Sequence, residues 1–166
     1  MKLAAGPADA RARFHAPYVM RLDDPLVEQV EVITEFRRYV LKTEEEITRG
    51  NWMFSQRHQE ARQTLRLWQR RLSIVARLRF HPQNNFVSVP PYEIVVAAPD
   101  VQPLDVIRTP IQAMLSGKPG DSAPLLGATI EAIFDAASVG ELARPVRIAL
   151  AGQDVKRVTI DFSKLE

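Results

Sequence analysis

The sequence predicts an α+β protein: a long heptad-patterned N-terminal helix followed by a small α+β domain that ends in a β-hairpin. Three observations carry that expectation. One apolar position recurs every seven residues at Leu26, Ile33, Val40, Ile47, Phe54, Ala61, Trp68 and Val75, the spacing of a coiled-coil seam. His81-Pro82 then closes the pattern, because the residue before proline is pushed out of the helical region. Beyond it, two runs alternate with period two, Val146, Ile148, Leu150 and Val158, Ile160, Phe162, around Gly152, as the strands of a hairpin do.

Residues 1–22 hold early Ala, Gly and Pro, with Pro17 limiting any helix, and are expected to form a flexible arm. Asp24 as N-cap and Pro25 as first helical residue mark the start of the long helix, assigned to 23–81. With the recurring apolar residue at d, the a positions are Val30, Arg37, Glu44, Asn51, His58, Leu65 and Leu72. The seam is therefore apolar at both ends and polar in the middle, which lowers stability and selects register. The expected oligomer interface is Leu26, Val30, Ile33, Val40, Ile47, Phe54, His58, Ala61, Leu65, Trp68, Leu72 and Val75. Gly50-Asn51 offers an alternative, a helical hairpin with Gly50 at C′ and Asn51 capping a second helix. The unbroken phase from Ile47 to Phe54 favours one helix kinked at Gly50.

Charge divides the same stretch. Residues 23–49 hold eight carboxylates, whereas 52–80 hold seven arginines and a single Glu60. Acidic residues early and arginines late suit the dipole of one continuous helix. Arg62, Arg66, Arg70 and Arg77 fall on one helical face, and such a stripe would give salt-dependent contact with the phosphates of a nucleic acid.

The remainder, 82–166, is read as the small α+β domain. Phe86–Val89 is a short strand candidate and Tyr92–Ala97 a stronger one. Leu104–Ser116 reads as a helix interrupted at Thr109-Pro110. Ser122 or Asp121 caps a second helix from Ala123 to about Ala137, and Pro145 opens the hairpin.

Leu104-Asp105-Val106-Ile107, Pro110-Ile111-Gln112-Ala113, Ala128-Thr129, Phe134, Val139-Gly140 and the run Val155–Phe162 resemble an uncharacterised family of small bacterial proteins. That family pairs a Pro-Leu-x-Ala helix with an Ala-Thr-x-x-Phe helix and a Val-x-Phe strand. Here Pro110-Ile111 stands where the family has Pro-Leu, at an altered spacing to the second helix. The resemblance spans about residues 104–163 and implies a domain boundary near 100 and a bacterial origin, with no function to carry over.

Composition bounds the function. Hydrophobic residues make up 46% of the chain, charged ones 25%, and the net charge is +2, the balance of a folded protein. There is no cysteine, which removes disulfides, thiol nucleophiles and thiolate metal sites. His15, His58 and His81 lack the spacing of a metal site. The loop Gly117-Lys118-Pro119-Gly120-Asp121-Ser122 lacks the order of a phosphate loop, and no histidine follows Ser122 to act as its base. No catalytic, metal-binding or cofactor-binding residue is expected. The start is too poor in apolar residues for a signal peptide, and no run reaches the ~18 needed to span a bilayer, so a cytoplasmic location is expected. The sequence thus points to a non-enzymatic, homo-oligomeric scaffold or adaptor that also meets another protein. A nucleic-acid-binding protein using the arginine face of 57–79 is the first alternative, and a site-sharing enzyme subunit the second.

Overall fold

In the computed structural model, described here for residues 4, 6–51, 63, 65–97, 99–113 and 124–165, the stretch Arg71-Leu-Ser-Ile-Val-Ala-Arg-Leu-Arg79 is not helical. Leu72, Ile74, Ala76, Leu78 and Phe80 are all buried, while Arg71, Arg77 and Arg79 are exposed. That is the period of a strand, whose side chains alternate between faces. Eight strands follow in chain order: β1 Val19–Arg21, β2 Val27–Ile33, β3 Arg71–Arg79, β4 Tyr92–Val96, β5 Asp105–Gln112, β6 Leu125–Asp135, β7 Ala143–Leu150 and β8 Gln153–Asp161. The described helices are α1 Ala8–His15, α2 Glu35–Thr48 and α3 Ala136–Val139.

The strands form two antiparallel sheets, one of five in the order β1-β2-β3-β6-β5 and one of three in the order β4-β7-β8. Their inner faces share one core. Val30, Ile74, Ile130 and Phe134 come from the larger sheet, and Ile94, Val146, Ile148 and Ile160 from the smaller. Full burial of each such side chain contributes about 1.5–3 kcal/mol. Gly127 on β6 sits opposite Arg79, where a Cβ would lie 2.1 Å from the Leu78 carbonyl oxygen. Only glycine lets these two strands approach so closely.

The helix-led α+β class and the coiled coil are therefore corrected. Within 23–81, the expected single helix is replaced by β2, α2 and β3, so no continuous helical seam exists. Asp24 does cap the chain, but its Oδ1 accepts the N–H groups of Leu26 and Val27 in a turn that leads into β2 rather than into a helix. The expected arm contains α1, a 3-10 turn at Ala16–Tyr18 and β1. Of the stretches expected as helices at 104–116 and 123–137, Asp105–Gln112 is β5 and Leu125–Asp135 is β6, and only Ala136 and Ala137 are helical, as the start of α3; the helix pair implied by the family resemblance is not formed among the described residues. No strand forms at 86–89.

The helical hairpin at Gly50 is corrected too, although a helix does end there. Gly50 has φ 84°, its N–H donates to Ile47 O, and Asn51 N–H donates to Glu46 O, the paired bonds of a Schellman cap that ends α2. The second helix of that hairpin falls largely on residues outside those described, and its far end is β3. The C-terminal hairpin forms as expected: β7 and β8 join through Ala151 and Gly152, with φ 51° and 79°, the positive values a tight hairpin turn demands. Among the described residues no helix is long and apolar enough to cross a membrane.

Candidate functional site

Buried polar side chains act as struts. Arg37 on α2 is 2% exposed and gathers the carbonyls of Tyr18 and Val32, with Glu31 Oε1 at 2.5 Å. Its Nε faces His15 Nδ1 at 3.4 Å, and His15 Nε2 lies 3.1 Å from Glu44 Oε2. Burial lowers the pKa of the Arg37 guanidinium, and Glu31 acts in the opposite direction. This cluster ties α1 and the following turn to α2 and β2. Arg144 on β7 does similar work at the other end, donating to the carbonyls of Ala97, Pro99, Ser138 and Val139. It binds the end of α3 to the loop after β4.

A third arginine, Arg38, crosses from α2 to the outer face of the larger sheet. It donates to Ser73 Oγ at 2.6 Å and Glu131 Oε1 at 2.9 Å, and its guanidinium lies 3.6 Å from the centre of the Trp68 ring, a cation–π stack. Ile33, Leu41, Lys42, Glu45 and Leu65 complete a shallow cleft around that stack.

Backbone at the margins of the sheets offers a different kind of site. Two sheets have four edge strands, and an edge displays a row of N–H and C=O groups ready to pair with another strand. Phe80 N–H donates to Leu126 O and Ala136 N–H to Arg70 O, which sets the phase of the β3–β6 ladder. Even-numbered residues of β6 bond to β3 and odd-numbered ones to β5. With Thr109 opposite Thr129, the outward groups of β5 belong to Val106, Arg108 and Pro110 and, beyond the irregularity after Ile111, to Gln112, since Ala113 N–H donates inward to Pro124 O. Pro110 has no N–H, and Val106 N–H is held by Asp105 Oδ1 at 2.8 Å. The Arg108 side chain turns inward to the Tyr92 carbonyl on β4. Two of the outward donors on this edge are therefore removed, while the backbone of Arg108 still faces outward.

β4 is covered at its two ends. Tyr92 N–H bonds Pro90 O, Tyr92 O accepts Arg108, and Val96 O accepts Val101 N–H, which leaves Ile94 facing outward. β1 is three residues long. β8 differs. Ala97 N–H donates to Pro145 O, so odd-numbered residues of β7 bond to β4 and even-numbered ones to β8. The opposed residues on β8 are Lys156, Val158 and Ile160. Arg157, Thr159 and Asp161 therefore direct their backbone groups away from β7. The ladder is irregular before this stretch, between Ile148 and Ala149, and a 3-10 turn at Phe162–Lys164 follows it. Val158 and Ile160 point into the core, while Arg157 and Thr159 face solvent. This five-residue stretch is the candidate site.

The expected interface residues are dispersed through this fold. Val30, Val40 and Leu72 are buried core residues; Leu26, Ile33, Ile47, Leu65, Trp68 and Val75 are partly buried on separate segments. Phe54, His58, Ala61 and Arg62 lie outside the described residues. Arg66 and Arg70 are exposed around a 3-10 turn. Arg77 is on the outer face of β3, where it and Arg79 both pair with Glu28, so the helical stripe of arginines does not form. Arg157, Thr159 and Asp161 were not singled out by sequence reasoning. The alternation of Val158 and Ile160 shows that they face outward, but which strand lies at an edge follows only from the sheet order.

No family model, no curated protein and no solved structure matches the chain.

Proposed function

We propose that the chain is a non-enzymatic scaffold or adaptor that associates with itself through the free edge of its three-stranded sheet. The observation that carries this reading is the contrast among the edges. β1, β4 and β5 are short or partly closed by their own side chains and carbonyls, while Arg157–Asp161 keeps regular, outward backbone with apolar residues beneath it. Edge-to-edge addition of a strand supplies main-chain hydrogen bonds without any new loop or pocket. The strut role of Arg37 and Arg144 fits the same reading, because both strongly buried arginines are satisfied within the fold and hold together the frame that presents the edge. The nucleic-acid reading draws less support, since Glu28 already neutralises part of the charge of Arg77 and Arg79.

The test is the mass in solution, by sedimentation across a concentration series, for the intact chain and for Thr159→Pro. Proline removes an outward N–H and leaves the ladder to β7 intact. The intact chain is expected to gain mass with concentration and the variant to stay monomeric. An intact chain that stays monomeric up to ~1 mM, the weak limit of specific association, would overturn the reading.

A further inference from the structure

We infer that the partner of the β8 edge is a second β8 from an identical chain, antiparallel to the first, with the two-fold axis at Thr159. The inference rests on the self-association proposed above and adds its register.

An antiparallel pair of identical strands must be self-complementary, because each contact occurs twice. The backbone phase allows only odd-numbered residues to exchange hydrogen bonds across this edge, so the axis must fall on one of them or on a position between two of them. Centred on Arg157, the pairing sets two guanidinium groups directly opposite each other, which is repulsive. Centred on Val158, it sets Arg157 against Thr159 and leaves no charge pair within the regular stretch. Centred on Thr159, it sets Arg157 against Asp161 of the second copy and Asp161 against its Arg157. Thr159 then meets Thr159, and on the inner face Val158 meets Ile160. Opposite charges, paired threonines and paired β-branched residues are each favourable cross-strand neighbours. Moving the axis on to Ile160 sets Thr159 against Asp161 and carries the pairing past the end of the strand. At the Thr159 axis the three odd-numbered pairs each exchange two backbone N–H···O bonds.

The ions are free to make this exchange. Arg157 is 63% exposed and bonds Asp154, three residues earlier. Asp161 is 33% exposed, with Ser163 and Lys164 just beyond it as its partners. Local ion pairs of this kind contribute little in water, so trading them for partners across the axis costs little. The overlap uses only the stretch between the irregularity after Ile148 and the turn at Phe162, so the contact is short and the association weak, in the range ~1 mM to ~1 μM. It is also closed: pairing uses up both β8 edges and joins two three-stranded sheets into one of six.

The experiment uses the full chain in two single variants, Arg157→Glu and Asp161→Lys, with far-UV circular dichroism to establish that each is folded. Across the axis, the first variant faces Glu with Asp twice, and the second faces Arg with Lys twice. Each alone is expected to raise the dimer Kd roughly 10-fold or more. An equimolar mixture is expected to return to within about threefold of the intact Kd. In the mixed dimer the glutamate introduced into one chain faces the lysine introduced into the other, and the remaining native Arg157 and Asp161 still face each other. Loss of fold in either variant would not produce that rescue. If the intact chain dimerises while the single variants do so equally well, or the mixture does not recover, the Thr159 axis is wrong although self-association stands. If the intact chain does not associate at all, both fail.

Discussion

β5 and β8 lie at the margins of different sheets, and the difference between them is in how their outward backbone is treated. β5 is exposed along nearly its whole length, yet two of its outward donors are withheld. Pro110 removes one donor, Asp105 occupies another, and the Arg108 side chain is drawn across to β4. β8 has one irregularity near its start, and from Arg157 to Asp161 none of these devices is used among the described residues. Exposure of side chains and availability of backbone are thus separate properties, and only the second makes an edge adhesive.

The largest effect should come from opening the partly closed edge. Replacing Asp105 and Pro110 together by Val restores two outward donors on β5, so each chain would carry two adhesive edges instead of one. Sedimentation should then show open-ended assemblies larger than a dimer, since two such edges propagate. A double variant that keeps the intact protein's mass would mean that β5 is closed by something other than these two residues.

Next in size is the tie between the sheets. Arg108→Met removes the two hydrogen bonds to the Tyr92 carbonyl and should lower stability by about 1.5–3 kcal/mol, the range for bonds to charged groups. Thermal unfolding reads this directly.

Acid should reveal a smaller contribution at the inner side of β8. Asp24 pairs with Lys156 at 2.8 Å, and that bond, with the N–H groups of Val27 and Leu26, lowers its pKa from 3.8 to about 2. A carboxylate lowered on folding stabilises the protein fully above its unfolded pKa and loses that contribution as pH falls through the folded one. Asp24→Asn should therefore unfold at a lower temperature than the intact chain near pH ~6, and the gap should close between pH ~4 and pH ~2. A gap that persists at the acid end would trace the effect to packing instead of charge.

Smallest should be the response to salt. The Arg157–Asp161 pairs would sit at the surface of the dimer, where ions screen them, so raising salt from ~0.1 M to ~1 M should weaken association only a few-fold. A much steeper loss would mean that charge, not backbone pairing, holds the copies together.

The elements that sequence patterning captured are those fixed by neighbours in the chain. The turn at Ala151-Gly152, the alternation of β7 and β8 and the strand at 92–96 all follow from local chemistry; so does the Gly50 cap, which the heptad count wrongly overrode in favour of a continuous helix. The long helix failed because a one-in-seven count is easily met in a chain that is nearly half hydrophobic. In a strand, seven residues carry a side chain to the opposite face, so Ile33 and Val75 lie on the outer side of the larger sheet while Val30 and Ile74 lie inside. Leu72, Ile74, Ala76, Leu78 and Phe80 held the better signal, period two over nearly ten residues. β6 is harder: Leu-Leu-Gly-Ala-Thr-Ile-Glu-Ala-Ile-Phe is buried largely on alternate positions, but its alanines and leucines suit a helix equally well. The candidate site was legible as an outward-facing set and illegible as an edge, because edge status depends on partners far away in the chain.

That remoteness has a kinetic side. Arg71 pairs with Asp135, and Tyr92 with Leu150, so neither central ladder can close until long stretches of intervening chain have been made. Loop closure of this kind must be completed before the contacts it enables repay its entropy, and chains dominated by such pairings fold on the slow, millisecond-to-second side of the range. During synthesis β3 would leave the ribosome well ahead of β6, and β4 well ahead of β7. β3 can pair at once with β2, already made, but its β6 side and the Val- and Ile-rich β4 would wait unpaired, and such exposed edges invite aggregation or chaperone capture during synthesis.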